Sequence, residues 1–119
     1  MDLKYSQGKI IFNRELSNLD KLVIKFTKIL AKEKIDYVII SGYIAILFGR
    51  SRHTEDVDLF IGEMPFEKFV SLWNALEKNG FECINSSNPK DAYYDYLKEM
   101  LALRFAEKGA IIPNFELKF

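Results

Sequence analysis

One cysteine, one histidine and no net charge set the first limits on this chain of 119 residues. A lone Cys83 excludes both a disulfide framework and a zinc cluster built on cysteines. It suits a reducing compartment. His53 has no partner pattern and reads as a surface residue. Seventeen basic against seventeen acidic residues give no global field toward nucleic acid or an anionic membrane, although a local basic patch stays open. Apolar runs break within about a dozen residues, too soon to cross a bilayer. Residues 1–6 lack the charged-then-apolar layout of a signal peptide. The expectation is a cytoplasmic protein with no membrane partner.

What is present is ordinary for a globular chain: 49% apolar and 29% charged residues, enough for one core and too few residues for two. Residues 1–119 are therefore read as one domain. Lys9 to Phe12 is β-like. Leu19, Leu22, Val23, Phe26, Ile29 and Leu30 recur at helical spacing, with Ser17 and Asp20 as a capping pair at the start and Asn13 as a competing start. Lys21, Lys25, Lys28 and Lys32 line the polar side of that helix, a solvated face before it is a phosphate-tracking one. A strand over 37–41, a helix over 42–48 and a polar loop over 49–54 lead to an acidic strand over 55–61. Pro65 opens a helix whose apolar side is Phe66, Phe69, Val70, Trp73 and Leu76, closed by Asn79 and Gly80.

A short strand over 81–84, a loop over 85–88 and a helix from Pro89 to about Glu107 follow, with Lys108 and Gly109 as the stop. Tyr93, Tyr94 and Tyr96 read as packing residues of that helix, and Asp95 and Glu99 as part of its scaffold. In the tail, Phe115, Leu117 and Phe119 face one way and Glu116 and Lys118 the other. The alternating order of strands and helices predicts an α/β sandwich, a central mixed β-sheet flanked by helices.

The chemistry concentrates on the acidic strand. Asp56 and Asp58 are one residue apart, so they share a face while Val57, Leu59 and Ile61 take the other. Two like charges side by side repel, and their burial asks for a cation. Carboxylate oxygens suit Mg²⁺ or Mn²⁺ better than zinc, and two such ions can activate an attacking hydroxyl and steady a leaving oxygen. Glu116 is a third carboxylate if its strand lies beside this one, with Lys118 on the same face as a point charge for phosphate. Gly42, between a strand and a helix, permits a tight turn whose following amides suit a phosphate, and Ser41 adds a hydroxyl. Arg50 and Arg52 stand just before the acidic strand, where arginines clamp phosphate oxygens.

The turn Ser41-Gly42, then Gly49-Arg50-Ser51-Arg52-His53-Thr54-Glu55-Asp56-Val57-Asp58, resembles the signature of the nucleotidyltransferase superfamily, the DNA polymerase β-like group, and its small stand-alone and abortive-infection toxin-like branch. The likeness is specific over 37–61 and extends to Phe115–Phe119 as the third-carboxylate strand. One departure is Ser-Gly-Tyr, with Tyr43 where the family has a small residue. The resemblance implies a minimal nucleotidyltransferase fold and transfer of a nucleoside monophosphate from an NTP, ATP included, to an acceptor hydroxyl, with release of pyrophosphate. It assigns Asp56, Asp58 and Glu116 as the catalytic, metal-holding set for two Mg²⁺ or Mn²⁺ ions. Ser41, Gly42, Arg52 and Lys118 become contacts to the triphosphate. The acceptor is a small molecule, a protein or RNA. Alternatives in the same frame are a catalytically reduced nucleotide- or partner-binding domain, which Tyr43 favours, and a toxin-like enzyme acting on tRNA. A partner protein or a homo-oligomer fits each of them.

Overall fold

The computed structural model describes residues 2–6, 9–13, 18–40 and 56–119. β1 (Asp2–Ser6) and β2 (Lys9–Asn13) pair antiparallel as a two-stranded ribbon, Asp2 opposite Asn13 and Ser6 opposite Lys9. Only the second of these strands was expected, although Asp2, Lys4 and Ser6 alternate with Leu3 and Tyr5 at strand spacing.

α1 (Asn18–Lys32) follows its apolar spacing and buries Leu22, Val23, Phe26, Ile29 and Leu30. Asp20 in the first turn and Lys32 in the last complement the helix dipole. Ser17, the other half of the expected capping pair, lies outside the described residues. Lys21, Lys25, Lys28 and Lys32 are exposed. Lys34 takes a left-handed φ of 59°, which lets the Ile35 amide donate back to the Leu30 carbonyl at 2.9 Å and turns the chain toward the sheet.

The sheet has five strands in the order β3 (Tyr37–Ile39), β4 (Asp56–Ile61), β7 (Asn114–Lys118), β6 (Leu103–Glu107), β5 (Phe81–Cys83). β4 and β7 run parallel; every other neighbouring pair is antiparallel. The fold is therefore α/β around a mixed sheet, as expected. α2 (Phe66–Lys78) stands between β4 and β5, buries Phe69, Leu72, Trp73 and Leu76, and ends where Gly80 adopts a φ of 89°.

The last helix also differs from expectation. The helix read from Pro89 to Glu107 stops at Glu99: it consists of a turn of α-helix (Pro89–Asp91), a π segment (Ala92–Tyr96) and a 3₁₀ turn (Leu97–Glu99). Asn88 caps its start by accepting from the Asp91 amide at 2.9 Å, and Met100 ends it in the left-handed region at φ 60°. Leu103–Glu107 is strand β6. The Asn85 side chain pins its beginning, donating to the Ala102 carbonyl and accepting from the Arg104 amide, both at 3.0 Å. Leucines at 97, 101 and 103 satisfy helical and strand periods alike, and the strand prevails because it gives β5 and β7 a backbone partner. Lys108 and Gly109 form the turn after β6, with Gly109 at φ 84°.

Val57, Leu59, Ile61, Leu103, Phe105, Phe115 and Leu117 make one face of the sheet, all buried. The described helices pack there. Phe26 of α1 stacks on Phe115 with centroids 4.1 Å apart, Trp73 of α2 meets Phe105 edge-on at 5.6 Å, and Tyr93 meets Phe119 at 6.0 Å. The alternate residues, Val38, Asp56, Asp58, Phe60, Arg104, Asn114, Glu116 and Lys118, belong to the opposite face. Among the described residues no helix is long and apolar enough to cross a membrane.

Candidate functional site

β4 positions the acidic pair by simple alternation. Val57, Leu59 and Ile61 are at most 3% exposed and anchor the strand in the core, so Asp56 and Asp58 are held on the other face with no freedom to change sides. β7 is fixed in the same way by Phe115 and Leu117, both fully buried. The parallel register then puts Asp58 directly opposite Glu116 and Asp56 opposite Asn114. The strand of Glu116 does lie beside the acidic strand, and the carboxylates from two distant parts of the sequence share one sheet face.

Asp58 and Glu116 interact most closely. A hydrogen bond from Glu116 to the Asp58 side chain, then burial, then the charge of Asp58, raise the Glu116 carboxyl above its ordinary range; Asp56 adds to the rise through its charge. Arg104 on β6 works against this. It stands opposite Glu116 in the antiparallel register, with its Nε 3.2 Å from Glu116 Oε1. Asp58 Oδ1 is buried without a hydrogen-bond partner. Asp58 and Glu116 thus set hard oxygen donors side by side, one of them buried without a partner, a donor set whose chemistry suits a divalent cation. Among the described residues no three acidic, histidine or cysteine groups close on one point, so the geometry brings Asp58 and Glu116 together and leaves Asp56 beside them.

Lys118 is exposed on the same face as Glu116, opposite Phe60. Ser41, Gly42 and Arg52 lie outside the described residues, as do Tyr43, Arg50, His53, Thr54 and the expected helix over 42–48. Arg104 was not anticipated as a site residue, because a helix over 89–107 assigned it to a helix surface. The alternation Leu103, Arg104, Phe105 ahead of the Lys108-Gly109 turn was the signal that could have found it. Cys83 is a half-buried residue of β5 whose thiol is pushed up by burial, in keeping with a small hydrophobe. A cavity of about 680 Å³ lies on the helix side of the sheet, between Leu19, Lys21, Leu22 and Lys25 of α1 and Glu107 and Ile112. Asp56, Asp58 and Glu116 do not line it.

Comparison with protein-family models gives no match for this chain, and comparisons with curated proteins and with solved structures give none either.

Proposed function

We propose that this chain is a metal-dependent nucleotidyltransferase that moves a nucleoside monophosphate from an NTP to an acceptor hydroxyl. The observation that carries the reading is the pairing of Asp58 with Glu116 on adjacent parallel strands, with Asp58 Oδ1 buried and unpartnered. Asp56, Asp58 and Glu116 are the residues that would hold Mg²⁺ or Mn²⁺, whose charge, when bound, neutralises triphosphate oxygens and lowers the pKa of the attacking hydroxyl. The acceptor oxygen forms a bond to the α-phosphorus as the bond to the bridging α–β oxygen breaks, and pyrophosphate carries that electron pair away. Glu116, whose proton affinity is raised, suits the role of taking the acceptor proton. Lys118, exposed on the same face, suits a phosphate contact. In this reading Ser41, Gly42 and Arg52 contact the triphosphate, as their resemblance implies.

A second reading, nucleotide binding without turnover, has one observation in its favour: the Arg104 guanidinium already engages one oxygen of Glu116. Titration of Mn²⁺ with each NTP into the wild type and an Asp56→Asn/Asp58→Asn variant separates the possibilities. Binding that needs the metal and vanishes in the variant, together with pyrophosphate release, supports transfer. Metal-dependent binding with no pyrophosphate over a panel of acceptor hydroxyls supports the second reading. Nucleotide binding unchanged in the variant overturns both.

A further inference from the structure

Among the described residues two side-chain oxygens are buried with no hydrogen-bond partner, Asp58 Oδ1 and Asn114 Oδ1, and they belong to neighbouring strands. Asn114 stands opposite Asp56 and two residues before Glu116, so strand alternation assigns it to the face of the three carboxylates. It is 5% exposed, so water does not reach it freely. Its amide nitrogen donates to the Ile111 carbonyl at 3.5 Å, which turns the nitrogen end toward the loop before β7 and leaves the oxygen end without a donor.

Asparagine is disfavoured in strands, and a buried acceptor left unpaired is costly. The position is therefore expensive unless something outside the described hydrogen bonds uses that oxygen. Its surroundings define the partner. Asp56 and Asn114 form one cross-strand pair, Asp58 and Glu116 the next, a block of four oxygen-bearing side chains on strands about 4.8 Å apart. An amide oxygen is a hard, neutral ligand for Mg²⁺, Mn²⁺ or Ca²⁺. A fourth carboxylate there would add repulsion to three existing ones; an amide adds a ligand without adding charge.

We propose that Asn114 is a cation ligand, its Oδ1 joining the paired Asp58 and Glu116 in holding a divalent ion. The inference rests on the cation site of the preceding section but assigns a residue that the motif there does not contain. Asp58 and Asn114 then share one explanation for their unpaired oxygens, although they come from segments of the chain more than fifty residues apart.

The test is direct Mn²⁺ binding, by electron paramagnetic resonance of the free ion, to the wild type, Asn114→Ala, Asn114→Asp and Asp58→Asn, with circular dichroism melts to confirm folding. Asn114→Ala is expected to weaken Mn²⁺ about tenfold or more, and Asn114→Asp, which keeps an oxygen ligand but adds a repelling charge, to retain the ion without tightening it. A folded Asn114→Ala with wild-type affinity, beside an Asp58→Asn that loses the ion, overturns the role of Asn114 and leaves the acidic site standing. A wild type that binds no Mn²⁺ at millimolar concentration removes the acidic site and this inference together. If the variants do not fold, Mg²⁺ titration of the wild type followed by the Asn114 side-chain amide signal in NMR decides the matter: a shift that saturates with the ion supports ligation, and an unmoved signal overturns it.

Discussion

Arg104 Nε lies 3.2 Å from Glu116 Oε1, across the antiparallel pair formed by β6 and β7. On its other side Glu116 meets Asp58, so one carboxyl group is held between a cation and an anion. Asp58 has the larger effect on its protonation and Arg104 the smaller, opposing one. Replacing Arg104 with methionine removes the opposing influence while keeping much of the aliphatic stem. The Glu116 carboxyl is then expected to titrate at higher pH than in the wild type, followed by the side-chain carbonyl carbon in NMR. The arginine side chain is 53% exposed, so the fold should lose only about 0–1 kcal/mol. A Glu116 titration that stays in place would show that the two groups are not coupled in solution.

The raised proton affinity of Glu116 sets a sign for the pH dependence of stability. The folded chain holds this proton more tightly than the unfolded chain does. Below the unfolded value both states are protonated and no difference arises. As pH rises from there through the folded value, the unfolded state loses its proton first, and stability falls. Above the folded value the loss is complete and constant. Glu116→Gln should flatten that part of the melting-temperature profile, measured from about pH 4 to about pH 8. Mg²⁺ should stabilise the wild type more at neutral pH than at the acid end, because the ion competes with the proton for the same oxygens. Parallel profiles for wild type and variant, with no Mg²⁺ effect, would count against Glu116 as a ligand.

The legible parts of the site were those whose side chains alternate without ambiguity. Asp56, Val57, Asp58, Leu59 can be read only as a strand with two acids on one face, and Phe115, Glu116, Leu117, Lys118 as another. Their adjacency was conditional on a sheet order that no local pattern encodes, since β4 and β7 are separated by α2, β5, the helical segment over 89–99 and β6. Arg104 was hidden for a different reason. Leucines at 97, 101 and 103 suit a helix as well as a strand, and hydrogen bonds from the distant Asn85 settle which one forms. Asn114 was hidden because a lone asparagine at the start of a strand carries no pattern of its own, and only its burial opposite Asp56 singles it out.

Tyr93 ties the helical segment over 89–99 to the end of β4. Its hydroxyl donates to the Met64 carbonyl at 2.7 Å in a buried position, and its ring meets Phe66, Phe69 and Phe119. Tyr93→Phe keeps the ring and removes the donor, leaving the Met64 carbonyl without this bond. The expected cost is about 1–3 kcal/mol, read as a lower midpoint in urea with the slope unchanged. Hydrogen exchange should quicken in the 89–99 segment while α1 keeps its protection. Uniform loss of protection across both elements would show that the contact stabilises the whole fold and not this segment.

Phe26 links the core to the carboxylates. It is fully buried, stacks on Phe115 at 4.1 Å with rings 3° from parallel, and meets Phe81 edge-on at 5.2 Å. Phe115 immediately precedes Glu116, and its burial is one of the anchors that keep β7 in register. Phe26→Ala should cost about 3–5 kcal/mol, a large share of the stability of a chain this size. Phe26→Leu refills most of the space and should cost less. If core packing sets the site, Mn²⁺ affinity should fall in Phe26→Ala and recover in Phe26→Leu, even though Phe26 belongs to the helix side of the sheet and the carboxylates to the other. Equal affinity in two folded variants of unequal stability would show that β4 and β7 hold the carboxylates in register without help from α1.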